Sequence, residues 1–194
     1  MPQVVLSILH ARELGLKIPI VYNTSAYDSL ESLRLLDGLV DIYMPDFKVW
    51  NPTTSKRLLK AEDYASHAME SIKAMHAQVG DLCFTPDGIA KKGLLIRHLV
   101  MPGKEDEGEK IMAWLAENVS RDVFVNIMEQ YHPRAHVGKK RRSTSSTTPG
   151  TPSTRYEDIN RPITSEEVNR VRRAGERAGL YRFCDPPRHD GFNI

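Results

Sequence analysis

Apolar positions along the chain fall into two alternating patterns. Four short apolar runs, each leading into polar residues, predict buried strands: IPIVYNTS (18–25), LVDIYMPDFK (39–48), LLIRHLVMPG (94–103) and VFVNIMEQYHP (123–133). Helical stripes separate them. The clearest is Ala65, Ala68, Met69, Ile72, Met75, His76 and Val79, spaced i, i+3, i+4, i+7 and stopping at Gly80. Ile111, Trp114, Leu115 and Val119 make a shorter stripe, and Leu30, Leu33 and Leu36 another, closed by Gly38. Strands alternating with helices of this length predict βαβ units, an α/β fold and a parallel sheet.

Between the long stripe and the third run, LCFTPDGIAKKGLLI (82–96) predicts a small hairpin turning at Pro86, Asp87 and Gly88, an excursion from the sheet. Near the C-terminus, Thr164, Ser165, Glu166 and Glu167 form a capping-box sequence. Val168, Val171, Ala174 and Ala178 follow as the apolar face of a last helix that ends at Gly179, with LYRF (180–183) expected to pack back on the body. The chain opens on a helical pattern (Val4, Val5, Ile8, Leu9, then Gly15), where a βαβ protein places a strand. Four strands cannot close a barrel, which takes eight and about 250 residues. The expectation is the later part of a larger α/β fold: an open parallel-sheet fragment of a partial (β/α) barrel.

Composition refines this layout. With 194 residues, 40% of them hydrophobic, the chain can bury one sizeable core. The formal charge is +2, but GKKRRSTSSTTPGTPSTR (138–155) holds five basic residues and neither an acidic nor a hydrophobic one, leaving −3 for the remainder. The folded part is therefore mildly acidic, and a nucleic-acid groove is not indicated. KKRR (139–142) resembles a nuclear-localisation patch, yet its Ser, Thr and Pro company predicts a solvated, disordered insertion. The resulting organisation is a barrel segment over 1–137, a linker over 138–155 and a helical extension of the same domain over 156–194. No run approaches the ~18 apolar residues of a membrane span, and MPQVVLSILHAREL lacks a basic lead or cleavage site. Cys83 and Cys184 match no zinc or CxxC spacing, which fits a reduced, cytoplasmic compartment.

The candidate chemistry begins with VDIYMPDFK (40–48). Residues i and i+2 of an extended chain share a face, so Asp46 and Lys48 point together into one site. Pro45 has no N–H to give a ladder, which places the pair at the strand's exit, where α/β proteins keep their chemistry. The plainer alternative is a surface salt bridge worth ~0–1 kcal/mol. A Schiff-base lysine at Lys48 is a third arrangement, but no phosphate-cradling glycine loop accompanies it. His76, on an apolar stripe, reads as a core histidine, and Met69 and Met75 as core fillers. In LVMPGKEDEGE (99–109) one glycine before several acids is unsuited to phosphate; the acids suit the positive end of the following helix. His98 and His132 lie at strand ends without a metal-ligand spacing, so no metal is assigned to them.

Four blocks then carry a resemblance. NTSAYDSLESLRLLDGLVDIYMPDFK (23–48), GIAKKGLLIRHLVMPG (88–103), VNIMEQYHP (125–133) and INRPITSEEVNRVRRAGERAGLYRF (159–183) together resemble the radical S-adenosylmethionine proteins similar to the pyruvate formate-lyase activating enzyme. The resemblance covers nearly the whole chain outside 138–155. It implies a partial (β/α)6 barrel holding a [4Fe-4S] cluster, with S-adenosylmethionine across the C-terminal strand ends. In that family the reduced cluster cleaves the cofactor to a 5′-deoxyadenosyl radical, and in activating enzymes the substrate is a glycine of a partner protein. The resemblance implies that Asp46 and Lys48 form the Asp-x-Lys contacting S-adenosylmethionine, that Asn23 and Thr24 are a polar pair facing it, and that Arg97, His98 and His132 sit on neighbouring strand exits.

This chain departs from the family pattern twice. Ala26 stands where glycine is expected, at a cost of about 1 kcal/mol if the turn needs φ > 0. The cluster-binding C-x-x-x-C-x-x-C is absent, and two isolated cysteines cannot supply three thiolates. An absent N-terminal portion is expected to account for both the missing strands and the missing triad. The sequence thus supports a truncated radical S-adenosylmethionine enzyme, inactive alone, or a non-catalytic remnant that binds a nucleotide or a partner protein.

Overall fold

The computed structural model of the protein describes residues 2–140 and 154–184. In chain order the elements are α1 (Pro2–Glu13), β1 (Val21–Thr24), α2 (Leu30–Leu36), β2 (Ile42–Pro45), α3 (Pro52–Leu59), α4 (Tyr64–Val79), β3 (Cys83–Phe84), β4 (Ala90–Leu99), α5 (Glu105–Asn118), β5 (Phe124–Met128) and α6 (Ser165–Ala178), with a 3-10 turn at Glu157–Ile159 before the last helix. The protein is thus α/β, with a parallel sheet. β1 pairs with β2, β2 with β4 and β4 with β5, all parallel, while β3 lies antiparallel to the first residues of β4.

Strand alternation divides the sheet into two faces. Tyr43, Phe47, Leu94, Ile96 and Val125 are fully buried on one face, in a core shared with helix residues such as Leu33, Ile72, Met75, Ile111, Leu115 and Val171. Each such side chain contributes about 1.5–3 kcal/mol on burial, so this helix-covered face holds the molecule together. The opposite face carries Asn23, Met44, Asp46, Arg97, Leu99, Asn126 and Met128, all exposed or half-buried.

The long stripe forms α4, which stops with Gly80 at φ +71. The capping box forms as the sequence predicts: the Thr164 hydroxyl accepts the Glu167 N–H, the Glu167 carboxylate accepts the Thr164 N–H, and Gly179 ends α6 in the left-handed region. LYRF packs back as a short extension of the sheet, Phe183 bridging Val125 in parallel.

Two expectations need correction. The hairpin is no excursion, because β4 runs unbroken through ten residues and only its start pairs with β3. Gly93 makes this continuity possible: at φ +128 it passes so close to 81–82 that a Cβ would lie 2.4 Å from the Asp81 carbonyl oxygen. The second is α3, which no apolar stripe announces, since Ser55 is its one buried residue. Local chemistry starts it: the Asn51 side chain accepts the Thr53 N–H, and Pro52 occupies the first turn.

At the ends of the linker the chain is paired: Lys140 bridges Thr154, and Arg155 exchanges backbone hydrogen bonds with Gly138 and Lys139. The centre of the expected insertion, 141–153, lies outside the described residues. No helix among the described residues is long and apolar enough to cross a membrane.

Candidate functional site

The open face becomes polar where the strands end. β2 stops at Pro45, in register with Thr24, but alternation continues past it, with Phe47 and Val49 turned to the core and Asp46 and Lys48 to the open face. Backbone bonds maintain that extension: Asp46 N–H donates to the Thr24 carbonyl (2.9 Å) and Phe47 N–H to the Arg97 carbonyl (2.9 Å). Tyr64, at the start of α4, pins the exit from the core side. Its hydroxyl accepts the Lys48 N–H (3.0 Å) and lies 2.6 Å from the Asp46 carbonyl, to which it donates. Burial raises the Tyr64 pKa, so this hydroxyl stays protonated.

Four side chains meet on the open face. Lys48 Nζ donates to Asp46 Oδ2 (2.7 Å), Arg97 Nε to Asp46 Oδ1 (2.7 Å), and Arg97 Nη2 to Asn23 Oδ1 (3.0 Å). Asp46 is the most enclosed member, its side chain 14% exposed against 23% for Arg97 and 35% for Lys48. The cluster borders a cavity of about 390 Å³, into which Gln130 also faces. Hydrogen bonds made with ionised partners in such partial enclosure are roughly twice as strong as neutral ones.

Of the residues the sequence singles out, Asn23, Asp46, Lys48 and Arg97 come together, and three others do not. Thr24 faces the helix side, donating to Asp28 Oδ2 (2.5 Å) and accepting the Ala26 N–H (3.2 Å). That contact shapes the turn in which Ala26 is buried at φ +60, the left-handed conformation for which glycine is expected. His98 is also turned to the core, 3% exposed, with Nδ1 donating to the Phe47 carbonyl (2.8 Å). Burial lowers its pKa and keeps it neutral. His132 is exposed beyond β5.

Sequence reasoning missed Tyr64, Gln130 and the wall that α3 supplies through Leu58 and Leu59. The Asn51-Pro52 pair was the available signal for α3. This helix is held from two sides. Glu107 Oε2 accepts the N–H groups of Trp50 (2.9 Å) and Asn51 (3.0 Å), while Arg57 makes a bidentate pair with Asp158 (2.9 and 2.5 Å).

The described residues do not fit an iron–sulfur cluster. Among them no group of three or more His, Cys, Asp or Glu side chains could hold a metal. Cys83 pairs with Lys92 at the start of β4, and the Cys184 N–H bonds Val125 early in β5. Cys83 therefore lies toward the opposite end of the strands from Asp46 and Arg97, and Cys184 lies beyond β5, on the far side of that strand from them. The donor set at the strand exits does fit a zwitterionic or hydroxylated ligand, with one carboxylate to accept hydrogen bonds and two cations to meet oxyanions.

Fold and cluster together define an α/β protein with a cavity at the C-terminal ends of its parallel strands. No family model matches the chain. It is similar to an uncharacterized protein of Methanocaldococcus jannaschii, 33% identical over 173 residues that make up 89% of this chain and 42% of the relative. The chain thus spans less than half the length of the curated relative it matches.

Proposed function

We propose that the protein is part of a radical S-adenosylmethionine-type partial barrel similar to the pyruvate formate-lyase activating enzyme, and that its strand-exit cluster binds S-adenosylmethionine. The observation that carries this reading is the convergence of Asn23, Asp46, Lys48 and Arg97 beside a cavity at the ends of consecutive parallel strands. Open and closed α/β sheets alike place ligands there. The strand order β1, β2, β4, β5 follows the chain without reversal, which favours a barrel segment over a doubly wound sheet.

In this reading Asp46 accepts hydrogen bonds from ribose hydroxyls or the cofactor's amino group, and Lys48 meets its carboxylate. Tyr64 and the Asp46–Arg97 pair orient both groups before binding. In the family the cofactor supplies a radical when a reduced [4Fe-4S] cluster cleaves it, and a protein carrying a glycyl radical site is the corresponding partner. The second reading is a nucleotide- or protein-binding module without radical chemistry, since no three His, Cys, Asp or Glu side chains among the described residues are placed to hold such a cluster.

Calorimetric titration of S-adenosylmethionine into the wild type, Asp46→Asn and Lys48→Met tests the site. Each charge-assisted contact is worth about 1.5–3 kcal/mol, so each variant should bind about tenfold more weakly or worse while remaining folded. Unchanged affinity with a lowered melting temperature would reduce the cluster to a structural salt bridge. With two isolated cysteines, both readings predict no cluster assembly when iron and sulfide are supplied anaerobically to this chain, and uptake of about four irons per chain would overturn both. An in-frame C-x-x-x-C-x-x-C encoded upstream of Met1 separates them: its presence favours the enzyme.

A further inference from the structure

We infer that the cavity on the β4–β5 side of the cluster binds an anion with an apolar body, whose carboxylate or phosphate meets Arg97 and Lys48. This names the substrate class for the same site and rests on the reading above in taking that cavity as the place where ligand binds.

The first argument is charge. One carboxylate, Asp46, faces two cations, Lys48 and Arg97, among the lining residues, leaving a net charge of +1. Both Asp46 oxygens are already engaged, Oδ1 by Arg97 Nε and Oδ2 by Lys48 Nζ, each at 2.7 Å. A cationic ligand would compete with both cations for these oxygens and would add a third positive charge to a half-enclosed space. An anion does neither. Among the described residues, Arg97 Nη1 and two of the three Lys48 Nζ hydrogens have no protein acceptor, and an oxyanion can take them in a charge-assisted arrangement. S-adenosylmethionine carries its own carboxylate but is a cation overall, so it adds to the excess positive charge. An anionic substrate beside it offsets that excess.

The second argument is the remaining wall. Leu58 and Leu59 from α3, Leu99 and Met101 from the end of β4 and its exit, and Met128 from β5 also line the cavity. A small hydrated anion leaves this surface wet. A chain of several carbons covers it, at about 0.8 kcal/mol per buried methylene in general. The two methionines give that wall adaptable shape.

Calorimetric titration of sodium hexanoate, acetate, hexyl phosphate and hexylammonium into the full chain tests this. Hexanoate or hexyl phosphate should bind at least about tenfold more tightly than acetate and than hexylammonium; the tighter of the two identifies the oxyanion. Arg97→Gln should lose about tenfold in affinity for the preferred anion, and Arg97→Lys, which keeps the charge, should retain most of it. Equal binding of hexylammonium, or unchanged anion affinity in a folded Arg97→Gln protein, overturns the inference, and the comparison of probes on the wild type needs no variant to fold. S-adenosylmethionine titrated into the same wild-type sample separates the two readings. Its binding without either six-carbon anion overturns the substrate class alone, and anion binding without it overturns the cofactor assignment alone.

Discussion

Replacing Glu167 by glutamine keeps the side-chain size and removes one charge from the junction between α6 and the loop after β4, which leads away from the cavity wall at Met101. Glu167 Oε1 accepts the Gly103 N–H (2.9 Å) and Arg161 Nη2 (2.6 Å); Oε2 accepts the Thr164 N–H, the Thr164 hydroxyl and Arg161 Nη1, each at 2.9 Å. A cap of this kind is worth ~1 kcal/mol. Arg161 is 46% exposed, so solvent screens its pair and the carboxylate's neutral donors carry most of the effect. Glutamine can still accept one or two of the neutral donors, but it turns an amide N–H₂ toward Arg161 or Thr164. The expected loss is about 2 kcal/mol, read from urea unfolding at pH 7 as a lower midpoint at constant slope. The same contacts, Arg161 first, hold the Glu167 carboxyl well below the usual carboxylate range. A depressed folded-state pKa means that this stability is present above the unfolded value near 4.5 and is lost as the pH falls below it. The gap between wild type and variant should therefore narrow below pH ~4.5, by up to ~1.4 kcal/mol per pH unit. A gap under ~0.5 kcal/mol at pH 7, or an equal gap at pH 7 and pH 3.5, would refute the argument.

His98 predicts a second and separate pH dependence. Its folded pKa lies below the ordinary histidine value of 6.5 because the ring is buried, so the unfolded chain protonates first and stability falls as pH drops below about 6.5. His98→Gln should flatten that slope between about pH 6.5 and 5; a slope identical to wild type in urea titrations would show that another group is responsible. Gly93→Ala should cost about 3 kcal/mol or prevent folding, because its Cβ would lie 2.4 Å from backbone atoms of Asp81 and Leu82. Gly88→Ala, at φ +83 with nothing within 4 Å, should cost only about 1 kcal/mol, and equal melting shifts in the two proteins would contradict the close approach at Gly93.

Much of the layout was legible from short-range chemistry. The α4 stripe and its stop at Gly80, the capping box at Thr164 and Glu167, and the end of β2 at Pro45 depend on residues within a few positions of one another, so the local sequence suffices. The Asp46–Lys48 pair was legible for the same reason, because a two-residue strand period puts both on one face whatever lies around them. The positive φ at Ala26 was signalled only through the family resemblance, which expects glycine at that position. Short, polar α3 lacked that periodicity and was lost.

Which face of each strand became the site was decided only by the tertiary structure. Asn23 and Thr24 are neighbours, as are Arg97 and His98, and in both pairs one residue joins the cluster while the other turns to the core. A shift of one residue reverses a strand's faces, so the choice depends on where the helices pack and on the register that sets Arg97 beside Asp46, 51 residues away. Tyr64, 18 residues beyond Asp46, reaches its carbonyl only because α4 crosses behind β2. Local sequence carries the period of an element, but the burial that assigns its two faces is a property of the whole packed chain.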